Sequence, residues 1–177
     1  MINITSDTLK EIAGSPGNQR VRDGLAKYLP DVMEQFQIDT PLRAAHFLAQ
    51  LGHESDHFRT LQEYASGKEY EGRKDLGNIY RGDGPRFKGR GPIQITGRFN
   101  YRKYGQLLGI PLEANPEQAA LPDVGTKIAG EYWNLNHLNA LADADDLIHI
   151  TKKINGGLNG IDSRRAMLDR AKKVLSV

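Results

Sequence analysis

Cysteine is absent from this chain of 177 residues, and the absence excludes two kinds of structure. Without cysteine there is no disulfide framework and no thiolate metal site. Any zinc ion would need histidine and carboxylate ligands instead. The composition suits a reducing compartment, and the first residues lack the basic and then apolar pattern of a secretory signal. We therefore expect synthesis in the cytoplasm.

Long hydrophobic runs and a large charge of one sign are missing as well. No segment approaches the run of about 18 apolar residues that a membrane helix requires, so we expect no stable membrane insertion. Lys and Arg number 24 against 22 Asp and Glu, a net charge of +2, which is far below that of a typical nucleic-acid binder. The basic stretch RRAMLDRAKK near the C-terminus is typical of a solvated helix face, so we expect no nucleic-acid partner.

Alternating β-branched runs are also rare, and most apolar residues recur at helical spacing, which predicts a mainly α fold. We expect one globular domain over residues 1–177, and a monomer. Caps and periodicity predict helices at residues 6–13, 18–28, 30–37, 41–57, 97–108, 122–135, 144–153 and 162–175. The expected capping residues are Thr40 with Pro41 at N1, Gly109 and Asp162, and Pro30 is expected in a first turn. Residues 66–91 carry seven glycines and predict one long irregular loop.

The stretch GHESDHF permits two incompatible interpretations. His53, Glu54 and His57 fit H-E-x-x-H, which places two zinc ligands and a general base on one helix of a metalloprotease. That site needs a third ligand, and His137 and His149 lie at spacings that do not match the known extensions of the motif. Glu54 could equally be one of a pair of carboxylates that hydrolyse a glycosidic bond without metal.

Glu54 also occupies an unusual position for a carboxylate. On a helix it continues the apolar stripe formed by Phe47 and Leu51, where a charge is costly unless it is paired. A structural ion pair with Arg90 or Arg165 would explain it. A general acid kept protonated by apolar surroundings would explain it equally well.

Residues 87–101, FKGRGPIQITGRFNY, form the most distinctive segment of the chain. Closely spaced glycines suit a backbone that passes near a ligand, and Gln94, Thr96, Asn100 and Tyr101 add neutral polar groups. Neutral polar side chains favour sugar over phosphate recognition. For Thr96 the alternative role is the N-cap of the helix that follows.

Three ordered segments, AAHFLAQLGHES, FKGRGPIQITGRFNY and ITKKINGG, resemble the family-19 glycoside hydrolases, which include plant chitinases and bacteriophage endolysins. The resemblance spans roughly residues 40–170 and is closer to the short, cysteine-free endolysins than to the secreted plant enzymes. It implies a lysozyme-like, two-lobed helical fold with a long irregular cleft loop, and no metal or other cofactor. The zinc interpretation accounts for five residues only, and we reject it on this basis.

The resemblance also assigns roles. Glu54 corresponds to the general acid, Glu63 to the general base, and Thr96 to the hydroxyl that holds the attacking water. Glu69 and Glu71 remain alternatives for the base. The implied sugar-binding residues are Gln94, Asn100, Tyr101 and Asn155. Arg165 corresponds to the basic residue that organises the acid cluster, with its neighbour Arg164 as the alternative.

Chitin and peptidoglycan both present β-1,4-linked N-acetylated amino sugars, so these residues do not choose between them. The absence of a signal and of cysteine favours a phage endolysin that hydrolyses peptidoglycan glycan strands by an inverting acid/base mechanism. Chitin is the alternative substrate, and muramidase and glucosaminidase activity both remain open. For such an enzyme we expect a single catalytic domain over residues 1–177, without a separate wall-binding module, that accumulates in the host bacterial cytoplasm. It needs a separate membrane-permeabilising protein to reach the wall.

Overall fold

The computed structural model describes residues 2–177, and this part of the chain is mainly α-helical, as predicted. The α-helices are α1 (Ser6–Ala13), α2 (Gln19–Gln35), α3 (Pro41–Glu54), α4 (Asp83–Arg86), α5 (Arg98–Leu108), α6 (Pro122–Leu135), α7 (Leu138–Asp143), α8 (Leu147–Asn155) and α9 (Ile161–Val174). Short 3-10 helices lie at Lys68–Tyr70, Lys74–Leu76 and Pro116–Ala120. Between residues 2 and 177 extended pairing is limited to isolated bridges of Arg90 with Gln62 and Ile95.

The centre of the fold is α3, which begins where the sequence predicted. Thr40 caps the helix by accepting a hydrogen bond from the Arg43 backbone N–H (3.2 Å), and Pro41 occupies the first turn. Residues 44–52 are all buried, so α3 is enclosed by other elements on every side. On one side Phe47 packs edge-on against Trp133 of α6, with ring centroids 5.1 Å apart. This enclosure brings the end of α3 into the interior of the molecule.

Helix α3 is shorter than predicted. It ends at Glu54, and Asp56, His57 and Phe58 all adopt left-handed backbone conformations, with φ of 49°, 62° and 56°. The turn is held by local bonds, because the Ser55 hydroxyl donates to the Leu51 carbonyl (2.7 Å) and accepts from the Phe58 N–H (3.1 Å). Burial of Phe58 favours this sharp turn over another helical turn.

The predicted break at Pro30 was wrong, because residues 19–35 form one helix with Pro30 inside it. Proline removes one backbone hydrogen bond and crowds the preceding turn. Buried residues on both sides of it, among them Leu29 and Val32, keep the helix on the core. Packing therefore outweighs the local penalty.

Two other predicted boundaries were wrong. The helix expected at residues 144–153 is present as α8, which begins three residues later, at Leu147, and α7 before it was not predicted. Asp145, between the two helices, has a left-handed conformation (φ 53°). Asp146 caps α8 by accepting from the His149 N–H (3.0 Å). The N-cap of α9 is Gly160 rather than Asp162. Gly109 ends α5 as predicted.

The fold has two lobes. Helices α1, α3 and α9 pack together in the larger lobe, and α6 packs against α2 on its other side. The irregular segment of residues 66–91, with its short helices, forms the smaller lobe together with α5. There the buried carboxylate of Asp83 accepts two hydrogen bonds from Arg98 (2.7 and 2.9 Å), whose guanidinium lies over the Phe87 ring. None of the helices in residues 2–177 has the length and hydrophobicity of a bilayer-spanning helix.

Candidate active site

Glu54 lies at the C-terminal end of α3, with its side chain only 17% exposed. Its Oε1 accepts a hydrogen bond from Nη2 of Arg164 at 2.8 Å. Burial raises the pKa of the Glu54 carboxyl above its ordinary value, although the nearby Arg164 acts in the opposite direction. A carboxyl group whose protonated form is favoured in this way suits a general acid.

Arg164, not Arg165, is the basic residue that holds Glu54. Besides Glu54, its guanidinium donates to the side-chain oxygen of Gln50 and to the Asn159 carbonyl (3.2 Å). Arg165 is exposed. The expectation for Arg165 was therefore wrong, and the reason is helical phase: position 164 lies on the buried face of α9 together with Leu168, one turn later, whereas position 165 faces solvent.

Glu63 is fixed at the edge of the smaller lobe. Its Oε2 accepts from the Gly89 N–H (2.8 Å), and its Oε1 accepts from the Tyr70 hydroxyl (2.8 Å). Burial, together with the hydrogen bond to Glu63, raises the pKa of Tyr70 to about 12, so the phenol remains a donor. A Cβ at position 89 would lie 2.6 Å from the Gln94 side-chain oxygen, so a larger residue there would displace the end of this flexible side chain.

The alternative carboxylates, Glu71 and Glu69, occupy different environments. Both oxygens of Glu71 accept backbone N–H groups, from Gly82 at 2.8 Å and Gly84 at 3.1 Å, so this carboxylate holds the loop together. Glu69 is exposed on the short helix of residues 68–70. The geometry therefore favours Glu63 as the second carboxylate.

A cavity of about 370 Å³ separates the two lobes. Four of the residues expected to bind sugar or water line it, namely Gln94, Thr96, Asn100 and Asn155. Tyr70, the partner of Glu63, lies on the small-lobe side. On the opposite side is Tyr132, whose pKa is raised to about 12 by burial and by the negative charge of Glu54. The cavity therefore extends between the surroundings of the two carboxylates.

In the glycine-rich segment Tyr101 has a role other than the one expected, and the alternative role of Thr96 is excluded. Tyr101 is fully buried, and its hydroxyl donates to the Lys88 carbonyl and accepts from Arg90 Nη1, so it supports the loop and does not reach the cavity. The N-cap of α5 is Gly97, which excludes the capping role considered for Thr96. The Thr96 hydroxyl makes one long contact, 3.4 Å to the Gln94 carbonyl, and lies at the cavity.

The H-E-x-x-H arrangement is not formed, because α3 ends at Glu54 and His57 lies on the left-handed turn. The His53 Nδ1 is 3.0 Å from the Ser163 hydroxyl, and burial together with Arg164 lowers the pKa of His53 to about 4. In residues 2–177 no three histidine or carboxylate side chains are grouped as metal ligands would be. The paired histidines on one helix face that the zinc interpretation requires are therefore missing.

Comparison with known proteins agrees with this geometry. No family model matches the chain. A Haemophilus influenzae protein described as a glycosyl hydrolase family 19 domain-containing protein is 34% identical over 154 residues, which cover 70% of this chain and 75% of that protein. The chain belongs to glycoside hydrolase family 19. An Arabidopsis thaliana endochitinase is 39% identical over 114 residues, and the match covers 64% of this chain but 38% of the endochitinase.

Solved structures show the same family-19 fold. Chitinase C from Streptomyces griseus superposes with a TM-score of 0.79 at 23% identity, covering 98% of this chain and 93% of the chitinase. A class IV chitinase from Zea mays gives a TM-score of 0.75 at 21% identity, with coverage of 98% and 93%. The lysozyme-like, two-lobed helical fold and the glycosidase class predicted from the sequence are therefore confirmed.

The family-19 site contains contacts that sequence reasoning missed. Gln50 precedes Glu54 by one helical turn, and its amide joins Arg164 to the Thr151 hydroxyl (3.2 Å). The spacing of four residues on a buried helix could have drawn attention to it. Nothing in the local sequence indicates that Tyr132, more than seventy residues further on, lies near the same carboxylate.

Proposed function

We propose that this family-19 enzyme hydrolyses β-1,4 glycosidic bonds with Glu54 as general acid and Glu63 as general base. The observation that carries the proposal is a cavity lined mainly by neutral side chains, with the hydrogen-bond partner of Glu63, Tyr70, on one side and Tyr132, which lies near Glu54, on the other. The pKa of Glu54 is raised by burial, so its protonated form is available to protonate the leaving oxygen. Arg164, whose guanidinium also donates to Gln50, holds this carboxyl in one orientation.

Glu63 is suited to activate water. Its two oxygens are oriented by the Tyr70 hydroxyl and the Gly89 N–H, and the remaining lone pairs are available to a water molecule. The Thr96 hydroxyl at the cavity is the second group proposed to hold that water. Direct attack by water inverts the configuration at the anomeric carbon.

The neutral polar lining fits N-acetylated amino sugars. Gln94, Asn100 and Asn155 provide amide donors and acceptors, and Tyr70 and Tyr132 provide aromatic surface. Chitin and peptidoglycan share these sugars. Chitin is supported as a candidate substrate by the curated plant relatives, which are named endochitinases.

Charge supports peptidoglycan as the substrate. Residues 66–103, which form the small-lobe side of the cavity, contain ten Lys and Arg against four Asp and Glu, in a chain whose net charge is only +2. Peptidoglycan carries carboxylates, whereas chitin is neutral. A positively charged lobe attracts an anionic polymer and offers no comparable advantage with a neutral one. We therefore propose that peptidoglycan is the substrate and that the enzyme acts as an endolysin.

In that setting the enzyme is a monomer that accumulates in the host bacterial cytoplasm and acts on the cell wall after release. Access to the wall then requires a separate membrane-permeabilising protein. Expression in bacteria should leave cells intact until a pore-forming protein is co-expressed, and should then cause lysis. Lysis by the pore-forming protein alone at the same rate would contradict this setting.

The substrate is tested by incubating the enzyme with purified peptidoglycan and with chitin, and by mass spectrometry of the released fragments. Fragments with muramic acid at the reducing end identify a muramidase, and fragments with glucosamine there identify a glucosaminidase. Release from chitin without release from peptidoglycan would overturn the peptidoglycan proposal and support a chitinase.

A further inference from the structure

We propose that Arg73 is a specificity-determining residue that binds a carboxylate of the glycan substrate. This inference rests on the proposed glycosidase function and extends it to substrate choice. Among the described residues that line the cavity between the lobes, Arg73 is the one with a charged side chain. The other lining residues are apolar or neutral polar groups, so one cation lines the cavity.

The present partner of Arg73 shows how it would bind such a group. Its Nε lies 3.2 Å from Oδ1 of Asp75, and its Nη2 lies 2.6 Å from Oδ2. This two-point contact is the geometry in which guanidinium groups bind carboxylates, including those of ligands. Both side chains are about half exposed or more, at 48% for Arg73 and 63% for Asp75. Exposed pairs of this kind are weak, so a substrate carboxylate can replace Asp75 at little cost.

The backbone of Arg73 is anchored, so its side chain starts from a fixed position. The Arg73 carbonyl accepts from the N–H of buried Asn78 (3.1 Å), and the Asn78 side chain donates to the Tyr70 carbonyl (3.0 Å) and accepts from the Arg98 N–H (2.9 Å). Tyr70 in turn donates to Glu63. These hydrogen bonds connect the backbone of Arg73 to Tyr70, and through Tyr70 to the proposed catalytic base, Glu63.

The two candidate polymers differ in the group that Arg73 would bind. Chitin has hydroxyl and acetamido substituents only. Peptidoglycan carries a lactyl group on every second sugar, which is a free carboxylate on strands without peptides and otherwise bears a peptide with its own carboxylates. Either source offers the same planar anion to a guanidinium group.

The test compares Arg73→Gln with Lys74→Gln, which removes the same charge from the next residue. Lys74 is exposed, does not line the cavity and forms no ion pair within the described residues. Activity, as kcat/KM, is measured on four substrates: peptide-bearing strands, strands freed of peptides by an amidase, carboxyl-reduced strands and neutral N-acetylglucosamine oligomers. Thermal melts check that each variant is folded.

Arg73→Gln should lower kcat/KM on carboxylate-bearing strands by about three- to tenfold, between the effect of an exposed ion pair and that of a bidentate one. It should leave the carboxyl-reduced strands and neutral oligomers unchanged. Lys74→Gln should change each substrate by less than about twofold. Asp75→Asn, which releases Arg73, should raise activity on the anionic strands only. A loss with peptide-bearing strands alone identifies a peptide carboxylate, and a loss with peptide-free strands identifies the lactyl carboxylate.

Equal losses on anionic and neutral substrates, or equal effects of Arg73→Gln and Lys74→Gln, would overturn the inference. Failure of the proposed substrate gives a different result, because the wild-type enzyme would then release nothing from peptidoglycan while cutting neutral oligomers. Binding of peptide-free strands is therefore measured separately in an inactive Glu54→Gln background. If the Glu54→Gln protein binds these strands more tightly than the Glu54→Gln, Arg73→Gln double variant, the inference is supported. Identical binding by the two proteins refutes it.

Discussion

The substitution Glu54→Gln separates a catalytic carboxyl group from a structural one. Gln keeps the size of the side chain and an oxygen that can accept from Arg164, but it cannot protonate the leaving oxygen. A positioned general acid commonly contributes about 10² to 10⁴ in rate, so turnover of glycan substrate should fall by at least that factor. The assay is release of soluble fragments from purified peptidoglycan or chitin.

The stability of Glu54→Gln follows from the balance of forces on the carboxyl group. Burial outweighs the attraction of Arg164, because the net effect is a raised pKa. The variant removes the buried charge, and Arg164 keeps Gln50 and the Asn159 carbonyl as acceptors. We expect the free energy of unfolding to rise by about 0 to 2 kcal/mol. For a chain of this size each kcal/mol corresponds to roughly 2 to 4 °C in Tm.

The same balance predicts how the difference depends on pH. A raised pKa means that folded protein binds the Glu54 proton more tightly than unfolded protein does. At pH values below the ordinary Glu pKa the protein therefore keeps its full stability. As the pH rises from that value through the raised pKa of the folded protein, the stability decreases. Thermal melts across this range should show wild type losing stability relative to Glu54→Gln, with the two curves converging in acid.

The matched control is Glu71→Gln, the same chemical change at a carboxylate that holds backbone N–H groups of Gly82 and Gly84. It should lower stability by about 0.5 to 1.5 kcal/mol, because the amide oxygen can accept from only one of the two N–H groups. Activity of the folded fraction should remain. If Glu54→Gln instead stays active and loses about 3 to 5 kcal/mol, Glu54 is a structural ion-pair partner and the catalytic assignment is wrong.

Three further predictions concern the mechanism. Glu63→Gln should abolish turnover while Glu71→Gln does not, and the reverse result in the fragment-release assay would exchange their roles. NMR of early products should show inverted anomeric configuration. In a crystal structure the Glu54 and Glu63 carboxyl groups should lie about 6.5 to 9.5 Å apart, or wider in an open cleft. Retained configuration, or a separation near 5 Å, would contradict the inverting mechanism. EDTA should leave activity unchanged, and the His57→Ala variant should keep measurable turnover. Activity that is lost in EDTA and restored by zinc would revive a metal mechanism.

The sequence predicts the parts of this fold that depend on local signals. Thr40 and Pro41 start α3 as expected, and Gly109 ends α5, because caps act over a few residues. Pro30 was misjudged because its penalty is local, whereas the burial that overrides it comes from distant helices. A similar limit applies to the end of α3, where packing of Phe58 determines the turn.

The site shows the same division between local and distant information. The motifs identify Gln94 and Asn100, which line the cavity, and Glu54, whose charge acts on the lining residue Tyr132. Choosing between neighbouring arginines requires the phase of α9 against α3, which is a tertiary property. Tyr101 was misplaced for a related reason, since hydroxyl chemistry alone does not show whether the ring faces the cavity or the core.

The left-handed turn after α3 makes catalytic placement depend on the start of the chain. Three successive non-glycine residues in this conformation cost roughly 1 to 2 kcal/mol each, so the turn persists only where its neighbours hold it. The Phe58 carbonyl accepts from the Asn18 N–H (3.1 Å), and a Cβ at position 17 would lie 2.4 Å from the His57 carbonyl oxygen. The loop between α1 and α2 therefore serves as a brace for the segment that joins Glu54 to Glu63. Truncations that remove this loop would disturb the placement of Glu54 through the brace, although none of its residues lines the cavity.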